Sequence, residues 1–495
     1  MVWGNFLHIY QPPHQIKEIF DRVVEESYRP LVESLRKYPK IKINLNINAA
    51  LLEQFLERGH KDIIEALRFV AERGQIEFTD SAKYHALLPL LPDDEIKRQI
   101  VLNRQTNQEI LGPVYAPKGF FPPEMAYAPN LPSILENLGY EWIIIDEIAF
   151  NGRVNQVDKR TLYEIAGTGL KVFFRERNPS NLIMSALVRR EKDFQEIMKE
   201  GYDRKGYLIT GMDGETFGHH RPGLLKLLIG LLTSEDFDHA FLSELPQFFK
   251  NRKKTSPLTS TWASTEKDIE NGVPFLTWND PDNQVHNWQW ELQHLALSIV
   301  KASNRKDSQI EIARNKLDHA LASDHFFWAS ARPWWSLEVV EAGAWALLDT
   351  IKSVPNVEKA QIKLAEDYYQ KIIAKIFEWQ RTGYIRKIYE EYREKPRIPF
   401  KSRTVEKGEP WVYDAFIDLM KKAMKDAAKK ENFEEAILWR DAIWKLETKN
   451  DIYDAIHAVD LLKKQITNAE ILDTIGKYRR EYERLSSGQP EQRGT

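Results

Sequence analysis

Short apolar runs alternating with stretches of helical periodicity organise the first part of the chain. Residues 2–8 predict a strand, the loop His8-Ile9-Tyr10-Gln11-Pro12-Pro13-His14 follows, and apolar positions then recur at helical spacing from Ile16 to Lys37. Residues 41–48 alternate apolar and polar side chains, which predicts a half-buried strand, with helix from Ala49. A helix over 61–73 stops at Gly74, a strand over 75–81 ends in polar groups, and helix resumes at Asp93. A strand over 117–122 and a helix over 130–139 precede residues 141–146, apolar enough for a strand buried on both faces. A hairpin-like region covers 161–176, an apolar run 207–210 predicts a further strand, helix follows over 224–232, and one more strand is expected over 258–263. Strands alternating with helices predict an α/β fold with a parallel barrel.

The pattern changes near residue 286. From 286 to 383 only helices are expected, the longest running from Val357 to Arg381. The predicted organisation is therefore a catalytic barrel over 1–285, a helical domain over 286–383 packed on it and completing the active site, and a charged, proline-bearing linker or surface excursion over 384–410. Further helices are expected over 411–485, then a disordered tail over 486–495.

Composition narrows the function classes. The chain of 495 residues has no cysteine, which removes disulfides, thiolate metal sites and cysteine nucleophiles. Lysine plus arginine number 70 against 73 acidic residues, so charge offers no argument for a nucleic-acid partner. The N-terminus has neither the basic nor the apolar region of a signal peptide, and the longest apolar stretch, Leu224 to Leu232, is too short to span a bilayer. A cytoplasmic location, with no membrane partner, is the expectation.

Candidate chemistry concentrates on Leu208-Ile209-Thr210-Gly211-Met212-Asp213-Gly214-Glu215-Thr216-Phe217-Gly218-His219-His220. This strand-to-helix loop crowds two carboxylates and two imidazoles where barrels carry their chemistry. Capping of the next helix is the plain alternative for Asp213 and Glu215. Adjacent His219 and His220 diverge on a helix, which argues against a metal site.

Five segments in order resemble the conserved regions of glycoside hydrolase family 57, over roughly residues 1–350. They are His8-Ile9-Tyr10-Gln11-Pro12, Gly74-Gln75-Ile76-Glu77, Gly119-Phe120-Phe121-Pro122-Pro123-Glu124-Met125-Ala126, Met212-Asp213-Gly214-Glu215-Thr216-Phe217-Gly218-His219 and Ser323-Asp324-His325-Phe326-Phe327-Trp328. Tyr10 replaces a histidine of the family pattern, and Phe121 stands where a tryptophan is usual. The resemblance implies an incomplete, seven-stranded parallel (β/α) barrel followed by a largely helical region. It also implies retaining action on α-glucans, α-1,4 bonds foremost, with no metal and no other cofactor. Glu124 becomes the expected nucleophile and Asp213 the general acid/base, a pair that retaining enzymes hold about 5–5.5 Å apart. Expected substrate contacts are His8, Gln11, Glu77, Glu215, His219, Trp262, Trp278 and Asp324. For His8 the plain reading is a satisfied core histidine, for Glu77 and Asp324 caps or salt-bridge partners, and for the two tryptophans loop anchors. Arg332 is a candidate partner for an active-site carboxylate.

Near the C-terminus, residues 419–446 are similar to the UVR motif, a helical hairpin with a turn at Glu431-Asn432. The similarity implies a protein partner or self-association; the plain reading is a hairpin packed on its neighbours. Two rival functions stay open. One is a metal-dependent polysaccharide deacetylase or mannosidase-like enzyme using Asp213 and histidines, and the other a carbohydrate-binding protein without catalysis.

Overall fold

A computed structural model describes all residues except His14, Leu187, 203–204, 304–307, Pro333, 394–409, 449–457, 460, 463–464 and 488–495. Most of the expected linker (394–409) and tail (488–495) therefore lie outside the described residues. The rest divides into two compact units, residues 1–184 with 197–389, and residues 185–196 with 390–495.

Among its described residues the first unit carries ten strands: β1 (Val2–Ile9), β2 (Ile43–Ile47), β3 (Ile76–Asp80), β4 (Gly119–Phe120), β5 (Trp142–Asp146), β6 (Thr161–Ile165), β7 (Lys171–Arg175), β8 (Tyr207–Asp213), β9 (Asp238–His239) and β10 (Asn251–Thr255). Seven of them run parallel in the order β7-β5-β4-β3-β2-β1-β8 and curl toward closure. Among the described residues no ladder joins β8 to β7, whose first residues are taken by β6. Instead the Glu176 amide donates to the Ile209 carbonyl at 2.8 Å, and Arg175 Nε donates to the Gly211 carbonyl at 2.6 Å. The barrel is incomplete, with β6 antiparallel to β7 and β10 beyond it.

The strand expected over 258–263 is a correction. Those residues form a loop that bridges Ser260 to Tyr127, and the strand is β10, Asn-Arg-Lys-Lys-Thr. An exposed, charged edge strand has no apolar run to announce it.

Both faces of the barrel wall are covered. On β5, Ile143 and Ile145 pack outward among the helices, while Trp142 and Ile144 join Phe6, Phe121 and Ile209 inside. Gly119 makes room for this interior, since a Cβ there would lie 2.1 Å from the Trp142 ring. The alternation of β2 therefore does not mark a solvent face. Asn44 and Asn46 are fully buried and point inward, Asn44 Nδ2 donating to the Asn5 carbonyl at 3.0 Å and Asn46 Nδ2 to the Thr79 carbonyl at 2.8 Å.

Helices Gln284–Ala302, Ser308–Ala320, Leu337–Lys352 and Lys359–Thr382 follow, the last being the longest. Their Leu292, Ala296, Leu317, Val340, Leu347 and Ile372 share one apolar cluster with the outward face of the sheet. The second unit holds helices Pro410–Lys429, Phe433–Thr448 and Asn468–Ser487 around Phe416, Met420, Trp439, Leu446 and Ile471. Between the first two, Glu431 takes a positive φ of 57° and Asn432 caps the next helix, its Oδ1 accepting from the Glu435 amide at 3.3 Å. No described helix is long and apolar enough to cross a membrane.

Candidate active site

Strand parity decides which side chains reach the barrel mouth. Inward residues of β1 are Val2, Phe6 and His8, and His8 is level with Asn46 on β2 and Asp213 at the end of β8. Tyr207 and Ile209 point inward, so Asp213, an even number of residues later, does too. Glu124 arrives on the tight turn Pro123–Met125 just after β4. Glu124 and Met125 both take positive φ, 61° and 48°. Such backbone costs about 1–3 kcal/mol per residue and persists only where the surroundings impose it. Here Trp262 imposes it, its amide donating to the Glu124 carbonyl at 3.1 Å and its Nε1 to Oε2 at 2.7 Å.

Two further carboxyls join this pair. Ser323 Oγ donates to the His85 carbonyl at 2.7 Å, which pins the start of helix Asp324–Phe327 to the loop after β3. Tyr10 then reaches both added groups, its hydroxyl donating to Asp324 Oδ2 at 2.8 Å and its amide to Glu215 Oε1 at 3.1 Å. Glu215 also accepts a short bond from the Tyr28 hydroxyl, which Gln11 Nε2 supports at 3.2 Å.

Burial raises all four carboxyls. Glu124 is pushed up to about 8 by burial and the Asp213 charge, against the Trp262 hydrogen bond. Glu215 goes to about 7 by burial and Asp213, against Tyr28. Burial lifts Asp213 to about 6 against the Arg175 guanidinium, and Asp324 to about 6 against the Tyr10 bond. Carboxyls packed this way share protons near neutrality. The imidazoles go the other way. Burial lowers His8 to about 4 despite its bond to Asn46, and lowers His85 strongly, with His8 adding to it. His8 Nδ1 lies 2.7 Å from the Asn46 amide oxygen, so Nδ1 carries the proton and Nε2 is left as an acceptor.

Phe121, His8, His85 and Tyr10 form a stacked column, with ring centroids 4.6, 5.1 and 4.3 Å apart. The two imidazoles have both faces spent within this column. Trp262, half-buried beside Glu124 with the Arg175 guanidinium 5.9 Å from its ring, is the aromatic group at the pair.

The structure thus brings Glu124, Asp213, His8, Gln11, Glu215, Trp262 and Asp324 into one neighbourhood. Three other expected residues are held by partners of their own. Glu77 is level with Asn44 and Phe6, one layer below His8, where it accepts the Ser243 amide at 3.2 Å. Trp278 is 1% exposed, packs with Leu87, Phe275, Trp290 and Phe326, and offers no face to a ligand. Arg332 pairs with Asp280 at 3.1 Å, outside the carboxyl group. His219 stands at the edge, its Nδ1 2.6 Å from Glu26. The residues that sequence reasoning missed are Tyr28, His85 as a neighbour of Glu124 (3.8 Å), and Arg175, whose charge acts on Asp213. Arg175 ends β7, so the strand-end rule that found Asp213 applied to it as well. Among the described residues no three His, Asp or Glu side chains are spaced to hold an ion.

The model of Glycosyl hydrolase family 57 matches residues 5–268, more than half of the chain, and that of the UvrB/uvrC motif matches 414–449. An alpha-amylase of Dictyoglomus thermophilum is 32% identical over 29% of this chain and 21% of its own length. A 4-alpha-glucanotransferase of Thermococcus litoralis is 27% identical over 43% of this chain and 32% of its own length. The chain therefore spans a third or less of these two relatives. In fold, it is similar to a GH57 branching enzyme of Thermococcus kodakaraensis, with a TM-score of 0.58 at 16% identity, covering 76% of this chain and 96% of that one.

Proposed function

Since this chain belongs to glycosyl hydrolase family 57, we propose that it cleaves or transfers α-glucans, α-1,4-linked ones foremost, with retention of configuration. The observation that carries this reading is the pair Glu124 and Asp213. They come from different strand ends into one buried site, and each is raised by burial so that a proton is available near neutrality. Relatives described as alpha-amylase, 4-alpha-glucanotransferase and 1,4-alpha-glucan branching enzyme support the substrate class.

In the first step ionised Glu124 attacks the anomeric carbon, the glycosidic C–O bond breaks, and Asp213 gives its proton to the leaving oxygen. In the second, Asp213 as carboxylate takes a proton from water or from an acceptor sugar hydroxyl. That oxygen displaces Glu124 and restores the α configuration. Burial favours the proton on Glu124 in the free site. A bound glycosidic oxygen accepting from Asp213, and positive charge growing at the anomeric carbon beside Glu124, both favour the reactive arrangement of the same proton. His8, Gln11, Glu215 and Asp324 are placed to hydrogen-bond sugar hydroxyls, and Trp262 holds Glu124. Hydrolysis and transfer differ only in which hydroxyl arrives second.

The test is product analysis on maltooligosaccharides, with the anomeric configuration read by NMR, for wild type, Glu124→Gln and Asp213→Asn. Turnover with an α-anomer as first product, lost in both variants, is expected. Binding without turnover by wild type would move the reading to a carbohydrate-binding protein. Activity lost to a chelator and restored by a divalent ion would sink the metal-free mechanism.

A further inference from the structure

Strand β8 carries Asp213 and has a strand partner on one side only, β1. An open strand edge leaves the amide and carbonyl of every second residue in need of partners. Here that edge is filled, though not by a strand. The Tyr207 amide donates to the Lys159 carbonyl at 2.9 Å. Ile209 exchanges two bonds with Glu176, its carbonyl accepting from the Glu176 amide at 2.8 Å and its amide donating to Glu176 Oε1 at 3.2 Å. One step higher the chain has left β7 for the helix Arg177–Met184, and side chains take over. The Gly211 amide donates to Ser180 Oγ at 3.1 Å, and the Gly211 carbonyl accepts from Arg175 Nε at 2.6 Å. Both side chains are buried and fixed from behind. Ser180 Oγ donates to the Glu176 carbonyl at 2.6 Å, while the Arg175 guanidinium donates to Asp146 Oδ2 at 2.8 Å and to Asn181 Oδ1 at 3.1 Å. Gly211 makes room for this arm, since a Cβ there would lie 3.3 Å from both Cγ and Cδ of Arg175.

We propose that Ser180 and Arg175 are positioning residues for the proton donor: they replace the missing strand beside β8, fix the Gly211 peptide, and so set where Asp213, two residues on, stands relative to Glu124. The inference rests on Asp213 being the proton donor of the proposed function. The strand ends at Asp213 and the chain turns away over Gly214–Thr216. Among the described residues the Gly211 peptide is therefore the backbone hold on the open side nearest to that carboxyl. Proton transfer depends steeply on distance, and a group displaced by about 1 Å costs on the order of a hundredfold in rate.

A proton donor is needed when the leaving oxygen belongs to a sugar and dispensable when it is a phenolate that departs unprotonated. The test compares kcat/KM on maltooligosaccharides with kcat/KM for nitrophenolate release from 4-nitrophenyl α-maltotrioside. Ser180→Ala, which removes one buried oxygen, is expected to lose about ten- to a hundredfold on the former and under about threefold on the latter. Arg175→Lys keeps a cation beside Asp213, gives up the Nε bond to Gly211, and is expected to show the same split. Ser180→Ala carries the test alone where Arg175→Lys does not fold. Full activity of Ser180→Ala on maltooligosaccharides, or an equal loss on both substrates as a merely structural role would give, overturns the proposal. Asp213→Asn measured alongside separates the two claims. Equal loss on both substrates there fails Asp213 as the donor, whereas a split in Asp213→Asn that is missing from Ser180→Ala fails the positioning alone.

Discussion

Glu124→Gln is expected to abolish turnover and yet stabilise the protein at alkaline pH. Glu124 titrates near its ordinary 4.5 in the unfolded chain and at about 8 in the folded one. A carboxyl whose folded value is raised contributes stability that is fully present below the unfolded value and is lost as pH rises through the folded value. At 1.36 kcal/mol per unit, the interval from 4.5 to about 8 corresponds to roughly 4 kcal/mol at pH 8, on the order of 3 at pH 7 and under about 1 at pH 5. The side chain is 16% exposed, so solvent screens little of this. Glutamine keeps the shape and still accepts from Trp262, and it carries no charge to bury. For a unit of this size, 4 kcal/mol moves the melting temperature by about 5 °C. The measurement is denaturant and thermal unfolding of wild type and variant from pH 5 to 8. The variant's advantage should grow steadily across that range. A gap that does not widen with pH, or a variant less stable at pH 8, would refute the burial argument and with it the buried carboxyl pair.

Other consequences are equally direct. Trp262→Phe removes the hydrogen bond that stabilises ionised Glu124, worth about 1.5–3 kcal/mol for a charged acceptor, so kcat/KM should fall roughly ten- to hundredfold and its acidic limb move upward. Tyr10→Phe releases Asp324 and should raise the pKa of that carboxyl; an unchanged KM for maltooligosaccharides would show that Asp324 holds no sugar. Arg175→Met leaves Asp146 with one buried cation in place of two, and unfolding free energy should drop by about 3–5 kcal/mol. Trp278→Ala opens a cavity costing about 3–5 kcal/mol, with KM in the folded protein unchanged because the ring meets no substrate.

Much of this protein is legible in its residues. The apolar runs of β1, β5 and β8 and the helical spacing between strands place most barrel elements, because a strand covered on both faces and a helix packed on it leave different periods in the chain. The strand-end rule picks out Asp213, and the ordered segments around it pick out Glu124. Periodicity cannot say what lies opposite a polar face. Asn44 and Asn46 alternate with isoleucine and leucine as they would on a wet sheet, and only closure of the barrel turns them inward, Asn44 to hold the Asn5 carbonyl and Asn46 to hold His8 and the Thr79 carbonyl. The same closure sets depth: Glu77 and Thr79 share a face of β3, but register puts Glu77 a layer beneath the mouth and gives it to Ser243. Long-range partners were beyond any local signal. Tyr28 meets Glu215 across 187 residues of sequence, and Tyr10 meets Asp324 across 314. A sequence therefore declares which groups can do chemistry, since that follows from side-chain type and position on a strand. Which of them share a proton follows from burial and register, and those exist only once the chain has folded.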